Sequence, residues 1–279
     1  MRLLACQTAI PTTRTRNEQL GYLTRLAQDL RQAARHHQPD LIVLPELSSQ
    51  EYSDAAFDHL DQLDDDLKGP VVQLHRDLAS ELGCFIAFGL ARRAADTPAG
   101  LRRHISQVVV GPDGEISAVY DKLHCAQFGA SAEAGHFVPG DRLVTFDVAG
   151  WRVGVMICYD LRFGELAARY RQQGVDLMLH PVAFTRDFSF ASWHSFITTR
   201  AMEHQCYWLS LNRAGDDWGH STLCPPLLTA DIPAQPLSHQ EGIVCRELDR
   251  QQLMEARARL PLARDRRDDI DRLPVHPLP

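Results

Sequence analysis

Short apolar runs alternate with longer amphipathic stretches along most of the chain. The runs at 2–8, 40–44 (DLIVL), 84–90 (CFIAFGL), 104–110 (HISQVVV), 143–148, 152–158 (RVGVMIC), 177–181, 206–212 (CYWLSLN) and 242–248 have strand length. They are bounded by glycine, proline or polar residues, as buried strands are. A further strand starting near Glu115 leads to Lys122. Between the runs lie helical patterns. Residues 17–37 place Leu20, Leu23, Leu26, Ala27 and Leu30 on one face, and 69–82 do the same with Val71, Val72, Leu74, Leu78 and Leu82. The segments 164–173, 192–204 and 248–260 predict further helices. Such alternation predicts an α/β protein. Pro112-Asp113-Gly114 and Gly150-Trp151 predict two hairpins, so the sheet is expected to be mixed rather than purely parallel. No fixed-period repeat or linker divides the chain. One domain over 1–263 is expected, followed by a charged, proline-containing tail at 264–279 that runs along the surface or onto a partner subunit.

With 279 residues, 44% of them hydrophobic, the chain can bury a substantial core. A formal charge of −7 gives no electrostatic footprint for nucleic acid or anionic membrane. The cluster Arg264 to Arg267 is interleaved with Asp265, Asp268 and Asp269 and reads as a solvated face. No apolar run approaches the ~20 residues of a membrane helix. The opening MRLLACQTAI lacks the charged region and cleavage site of a secretory leader. Cys6, Cys84, Cys125, Cys158, Cys206, Cys224 and Cys245 show no Cys-x-x-Cys spacing, so reduced thiols and a cytoplasmic location are expected.

Ligands of open α/β sheets bind beyond the carboxyl ends of strands. Three residues occupy such places. Glu46 follows the apolar strand of LIVLPEL. Burial there would raise its pKa into the range of a general base or acid, although a structural glutamate fits that segment equally well. Lys122, in AVYDKLH, would by itself be an ordinary solvated lysine; beside a nucleophile it could stabilise a developing anion. Cys158, in VGVMICYDLRFGEL, sits at a strand-to-helix turn, where a helix N-terminus and a cation can favour a thiolate. Its alternative is a buried structural cysteine. Together a thiol, a carboxylate and an ammonium suit acyl transfer. The chain has no Gly-x-Ser-x-Gly elbow, dinucleotide fingerprint, P-loop or His-Glu-x-x-His pair.

These motifs resemble those of the nitrilase superfamily, the carbon–nitrogen hydrolases, over most of the chain. Ala5-Cys6-Gln7 is similar to the family's opening. LIVLPEL, YDKLH and ICYDLRFGEL match its three catalytic motifs in order, and Arg200–Gln205 and Asn212–Gly215 resemble later family stretches. The resemblance implies Glu46 as base, Lys122 as oxyanion partner and Cys158 as nucleophile. It also implies a second glutamate, Glu133, ahead of the Pro139-Gly140-Asp141 turn, that orients the lysine and substrate. The implied fold is a four-layer αββα sandwich with mixed sheets, assembled as a homodimer or higher homo-oligomer, with no metal or organic cofactor. This sequence departs from the pattern at Ser192-Trp193-His194, Gly219-His220-Ser221, Cys224-Pro225-Pro226, Asp231-Ile232-Pro233 and Ile270.

The run Cys158–Phe163 is most similar to the branch that hydrolyses ω-amides of small dicarboxylic acids and deaminated glutathione. Tyr159, Arg162, Phe184 and Thr185 are the expected substrate contacts, with Arg162, joined by Arg186, gripping a carboxylate. A structural salt bridge from Arg162 to Glu165 or Asp160 is the alternative. The expected activity is hydrolysis of a small amide with release of ammonia through a thioester. N-carbamoyl amide or nitrile hydrolysis, a non-catalytic binding or assembly role, and a thiol-redox role using Cys125 are the competing readings.

Overall fold

A computed structural model describes residues 1–94, 100–129, 131–229, 234, 236–267 and 269–275. Its strands are β1 (Arg2–Gln7), β2 (Leu41–Val43), β3 (Phe85–Arg93), β4 (Arg103–Val110), β5 (Ile116–Asp121), β6 (Thr145–Val148), β7 (Trp151–Val155), β8 (Leu177–Pro181), β9 (Tyr207–Leu211), β10 (Thr222–Cys224) and β11 (Gly242–Glu247). They form two sheets, ordered β11-β1-β2-β3-β4-β5 and β10-β9-β8-β7-β6. Both are mixed. β1, β2 and β3 are parallel, as are β7, β8 and β9, and the outer strands of each sheet pair antiparallel.

Strand alternation assigns the layers, because successive side chains point to opposite faces. On β1, Leu3 and Ala5 join the core between the sheets, where they face Tyr207 and Leu209 across the gap. Leu4 and Cys6 point the other way, toward helices α1 (Arg16–His37) and α2 (Pro70–Leu82). α1 begins at a reciprocal cap: Thr15 accepts the Glu18 amide at 3.3 Å, and the Glu18 carboxylate accepts the Thr15 amide at 3.2 Å. α2 starts with Pro70 and stops at Gly83, whose φ of 65° suits a residue without Cβ. The far side is covered by α3 (Gly164–Gln172) and α4 (Phe190–His204), through buried Leu166, Tyr170, Trp193 and Ile197. Gly154 lets α3 approach β7, since a Cβ there would stand 2.9 Å from the Tyr170 ring. The result is the expected αββα sandwich. Each fully buried large side chain adds roughly 1.5–3 kcal/mol of transfer free energy. A last helix, α5 (Arg250–Arg259), follows β11.

Three expectations need correction. The strand read at 152–158 ends at Val155, because a short 3₁₀ turn, Cys158–Arg162, replaces strand geometry where the chain bends toward α3. Strand β10 falls in a stretch read only as a motif departure; its three residues are too few to show a period. α4 starts at Phe190 rather than 192. Asp231, Ile232, Pro233 and Asp268 lie outside the described residues.

Candidate active site

Glu46 owes its place to a glycine. After β2, Leu44 N–H donates to Ala87 O at 2.8 Å, and the chain then crosses β3 at Gly89. A Cβ on Gly89 would lie 2.3 Å from Leu47 N and 2.5 Å from Pro45 O, so no larger residue leaves the loop room. Ser48 Oγ accepts the Gly89 amide at 2.8 Å, and Leu47 adopts a left-handed φ of 46°. The turn buries Glu46 completely.

Lys122 follows β5, and its amide continues the ladder to Ile105 O at 2.8 Å. The Pro139-Gly140-Asp141 turn packs on it. Gly140 N–H donates to Lys122 O at 2.9 Å, where a Cβ would meet Asp121 O at 2.4 Å. The Lys122 side chain is buried, and its Nζ donates to Glu46 Oε1 at 2.8 Å and to Glu133 Oε1 at 2.7 Å. Glu133 heads a 3₁₀ turn, Glu133–Gly135. Its Oε1 also accepts the Tyr52 hydroxyl at 2.5 Å, and its Oε2 the Ala126 amide at 2.7 Å. Glu46 Oε2 accepts the Ala183 amide at 2.7 Å. That amide is aimed by Asn212, whose side chain accepts from Phe184 N at 3.0 Å and donates to Phe184 O at 2.9 Å.

Cys158 opens its 3₁₀ turn with φ at 45°, a conformation costly for a side-chain-bearing residue. Asp160 holds this turn. Its Oδ2 accepts Ile157 N at 3.1 Å and the Tyr120 hydroxyl at 2.7 Å, while its Oδ1 accepts the His124 amide at 3.0 Å and bonds the His124 ring at 2.7 Å. The cysteine turn is thereby tied to β5 and to the segment after Lys122. The Ala183 amide also draws the Cys158 pKa down, against the effect of burial.

The charges of this cluster interact at short range. Burial raises the Glu46 pKa, an effect Lys122 opposes and Glu133 reinforces. Burial alone would lower the Lys122 pKa, but Glu133 and Glu46 outweigh it and hold the ammonium charged well above its ordinary range. Burial, then Glu46, pushes the Cys158 thiol well up against the pull of Lys122. The resting site thus pairs a protonated thiol with a fixed cation and a carboxylate of raised basicity. Among the described residues, no group of three or more His, Cys, Asp and Glu could hold a metal ion, and no helix is long and apolar enough to cross a membrane.

Arg162 does not form the alternative salt bridge to Glu165 or Asp160. Asp160 is occupied as above, and the guanidinium donates instead to Ser192 Oγ at 2.8 Å and Ser189 O at 3.1 Å. It lies over Phe184 and Phe196, with its centre 5.7 and 4.5 Å from their ring centroids, and among the described residues it has no ion-pair partner. Burial is the main cause of its lowered pKa. Phe184 stacks on Trp193 with centroids 5.2 Å apart, Tyr159 packs on Phe128 and Phe163, and Thr185 is half-buried. Arg186 turns outward to His220, 2.5 Å from its ring nitrogen. Cys125 lies 3.8 Å from Phe137 O, and all seven cysteines are free thiols. Tyr52, His124, Ala183 and Asn212 were not singled out as site residues by sequence. Of these, Asn212 lies in the Asn-x-x-Gly turn and His124 closes the YDKLH motif.

The family model described as carbon-nitrogen hydrolase matches residues 3–258. The chain is similar to the omega-amidase NIT2 of Homo sapiens, 30% identical over 259 residues, covering 89% of this chain and 90% of that protein. The corresponding protein of Xenopus laevis, omega-amidase NIT2-A, is 29% identical over the same shares. Among solved structures, a CN-hydrolase superfamily protein from Xanthomonas campestris superposes with a TM-score of 0.79 at 26% identity, covering 96% of this chain and 97% of that one. A carbon-nitrogen hydrolase from Helicobacter pylori shares the fold, with a TM-score of 0.81 at 22% identity over 98% and 97% of the two chains.

Proposed function

Because the chain belongs to the carbon–nitrogen hydrolase family, we propose that it hydrolyses a small, carboxylate-bearing amide and releases ammonia through a thioester on Cys158. The observation that carries this reading is a buried ammonium, Lys122, bridging two buried carboxylates whose charges act on the buried Cys158 thiol. Glu46 takes the thiol proton as the sulfur attacks the amide carbonyl. The oxyanion forms against the Lys122 ammonium, whose charge is worth most in a water-poor site. Glu46 then gives its proton to the departing nitrogen, and ammonia leaves. Water enters, loses a proton to Glu46 and attacks the thioester. Collapse of the second tetrahedral species frees the acid, and the returning sulfur recovers its proton.

Glu46 rather than Glu133 has room for this traffic. Glu133 accepts three hydrogen bonds and Glu46 two, so Glu133 acts by holding Lys122. The name of the human relative supports an ω-amide substrate. Arg162, a cation with no ion-pair partner among the described residues, supports the carboxylate. Two of its donors are already engaged by Ser189 and Ser192, which leaves the remaining N–H groups and the field of the charge for substrate.

The test is an ammonia-release screen over glutaramate-like acids, asparagine and glutamine analogues, carbamoyl amino acids and simple nitriles. The ω-amides of dicarboxylic acids are expected to turn over fastest. Intact mass after rapid quenching should show an acyl adduct that maps to Cys158, and Cys158→Ala should abolish both adduct and turnover while keeping the native melting curve. Turnover retained by Cys158→Ala would refute the nucleophile.

A further inference from the structure

His180, on β8, takes no part in the proton transfers above, yet it reaches the backbone of Cys158. Its Nε2 lies 2.9 Å from Cys158 O, and its Nδ1 lies 2.8 Å from Ser210 Oγ, across the β8/β9 register that pairs the two residues. Trp193 Nε1, from α4, donates to the same hydroxyl at 3.0 Å. All three side chains are fully buried.

The chemistry of the ends fixes the polarity of this chain of contacts. An indole N–H can only donate, and a peptide carbonyl can only accept. Ser210 therefore receives from Trp193 and passes its own proton toward Nδ1. The imidazole must carry its proton on Nε2 and donate to Cys158 O. With the opposite tautomer, a ring lone pair would face the carbonyl. The ring stays neutral, because burial pushes its pKa down to about 4.

Resting on the reading that Cys158 is the nucleophile, we infer that His180 is a positioning residue, which clamps the Cys158 carbonyl and so holds the strained backbone that aims the thiol. Cys158 keeps its φ of 45° only if its surroundings over-determine it. Asp160 secures the turn from one side by binding Ile157 N and the β5 and His124 donors. The His180 bond secures the nucleophile's own peptide. That peptide is planar, so anchoring its oxygen also fixes the Tyr159 N–H on the opposite edge. The clamp needs only a fixed N–H donor, which the neutral imidazole supplies by keeping one tautomer.

Glutamine and methionine at position 180 provide the test, because they have similar length and only glutamine can donate to the carbonyl. The readout is the rate at which iodoacetamide alkylates Cys158, followed by peptide mass, alongside kcat and KM. His180→Met is expected to slow alkylation and lower kcat at least about tenfold, with KM within about threefold, as expected for a misaimed nucleophile. His180→Gln should recover most of both. Ser210→Ala keeps the ring but removes the tautomer lock, and should slow alkylation a few-fold. A native alkylation rate in His180→Met, or equal impairment in the glutamine and methionine variants, overturns the clamp. Should His180→Met fail to fold, a native rate in Ser210→Ala overturns it instead. Because alkylation reads the sulfur directly, turnover retained by Cys158→Ala would defeat the nucleophile reading while leaving the clamp measurable.

Discussion

Glu46 and Glu133 hold the same ammonium from two differently built regions. Glu46 sits on a loop stretched over β3, anchored by a left-handed Leu47 and given two donors. Glu133 sits in a short helical turn after β5 and receives a lysine, a tyrosine and a backbone amide. Both are fully buried. What separates them is the spare acceptor capacity left on each carboxylate. A buried acid that is saturated with donors becomes part of the scaffold, whereas one left partly unsatisfied beside a thiol can trade protons.

Breaking this contrast should have graded effects. Glu46→Gln removes the proposed proton carrier and keeps an acceptor for Lys122, so kcat is expected to fall by about 10³-fold or more in steady-state assays. Lys122→Ala should cost at least ~100-fold in kcat, the scale of a lost oxyanion partner. It also leaves two buried carboxylates facing each other, so the melting midpoint should drop. Glu133→Gln should cost roughly 10-fold in rate, because it loosens the lysine without removing the proton carrier. Its pH profile sharpens the comparison. Glu133 raises the Glu46 pKa. Neutralising it therefore lowers that pKa, and the acid limb of kcat/KM should move to lower pH. A limb that stays in place would mean Glu46 does not titrate in catalysis. Tyr52→Phe removes one of three donors from Glu133, and about a threefold change in kcat is expected, in line with one neutral hydrogen bond.

Much of this arrangement could be read from the chain. The 3.6-residue spacing of Leu23, Leu26 and Leu30 gave α1, and the apolar runs gave the strands whose ends bear Glu46 and Lys122. The apolar run into Cys158 was also visible, but not the place where strand gave way to 3₁₀ turn, because Met156 and Ile157 are as apolar as the strand before them. Partners were harder. Tyr52 meets Glu133 across 81 residues of chain, and Ala183 meets Glu46 across 137. No local pattern encodes such encounters. The resemblance supplied Glu133, but the donors that distinguish it from Glu46 come from the fold. Arg162 was legible as a cation near the site; its hold on Ser189 and Ser192 was not, since it depends on where α4 begins.

Gly89 bears on how this enzyme can vary. A single added methyl would have to push the loop out by roughly 1 Å to turn a 2.3 Å overlap with Leu47 N into ordinary contact. Glu46 reaches its ammonium at 2.8 Å and has no such slack. A glycine in the sheet therefore acts as a shim under Glu46. Position 89 is closed to any side chain by the backbone of the very loop that carries Glu46.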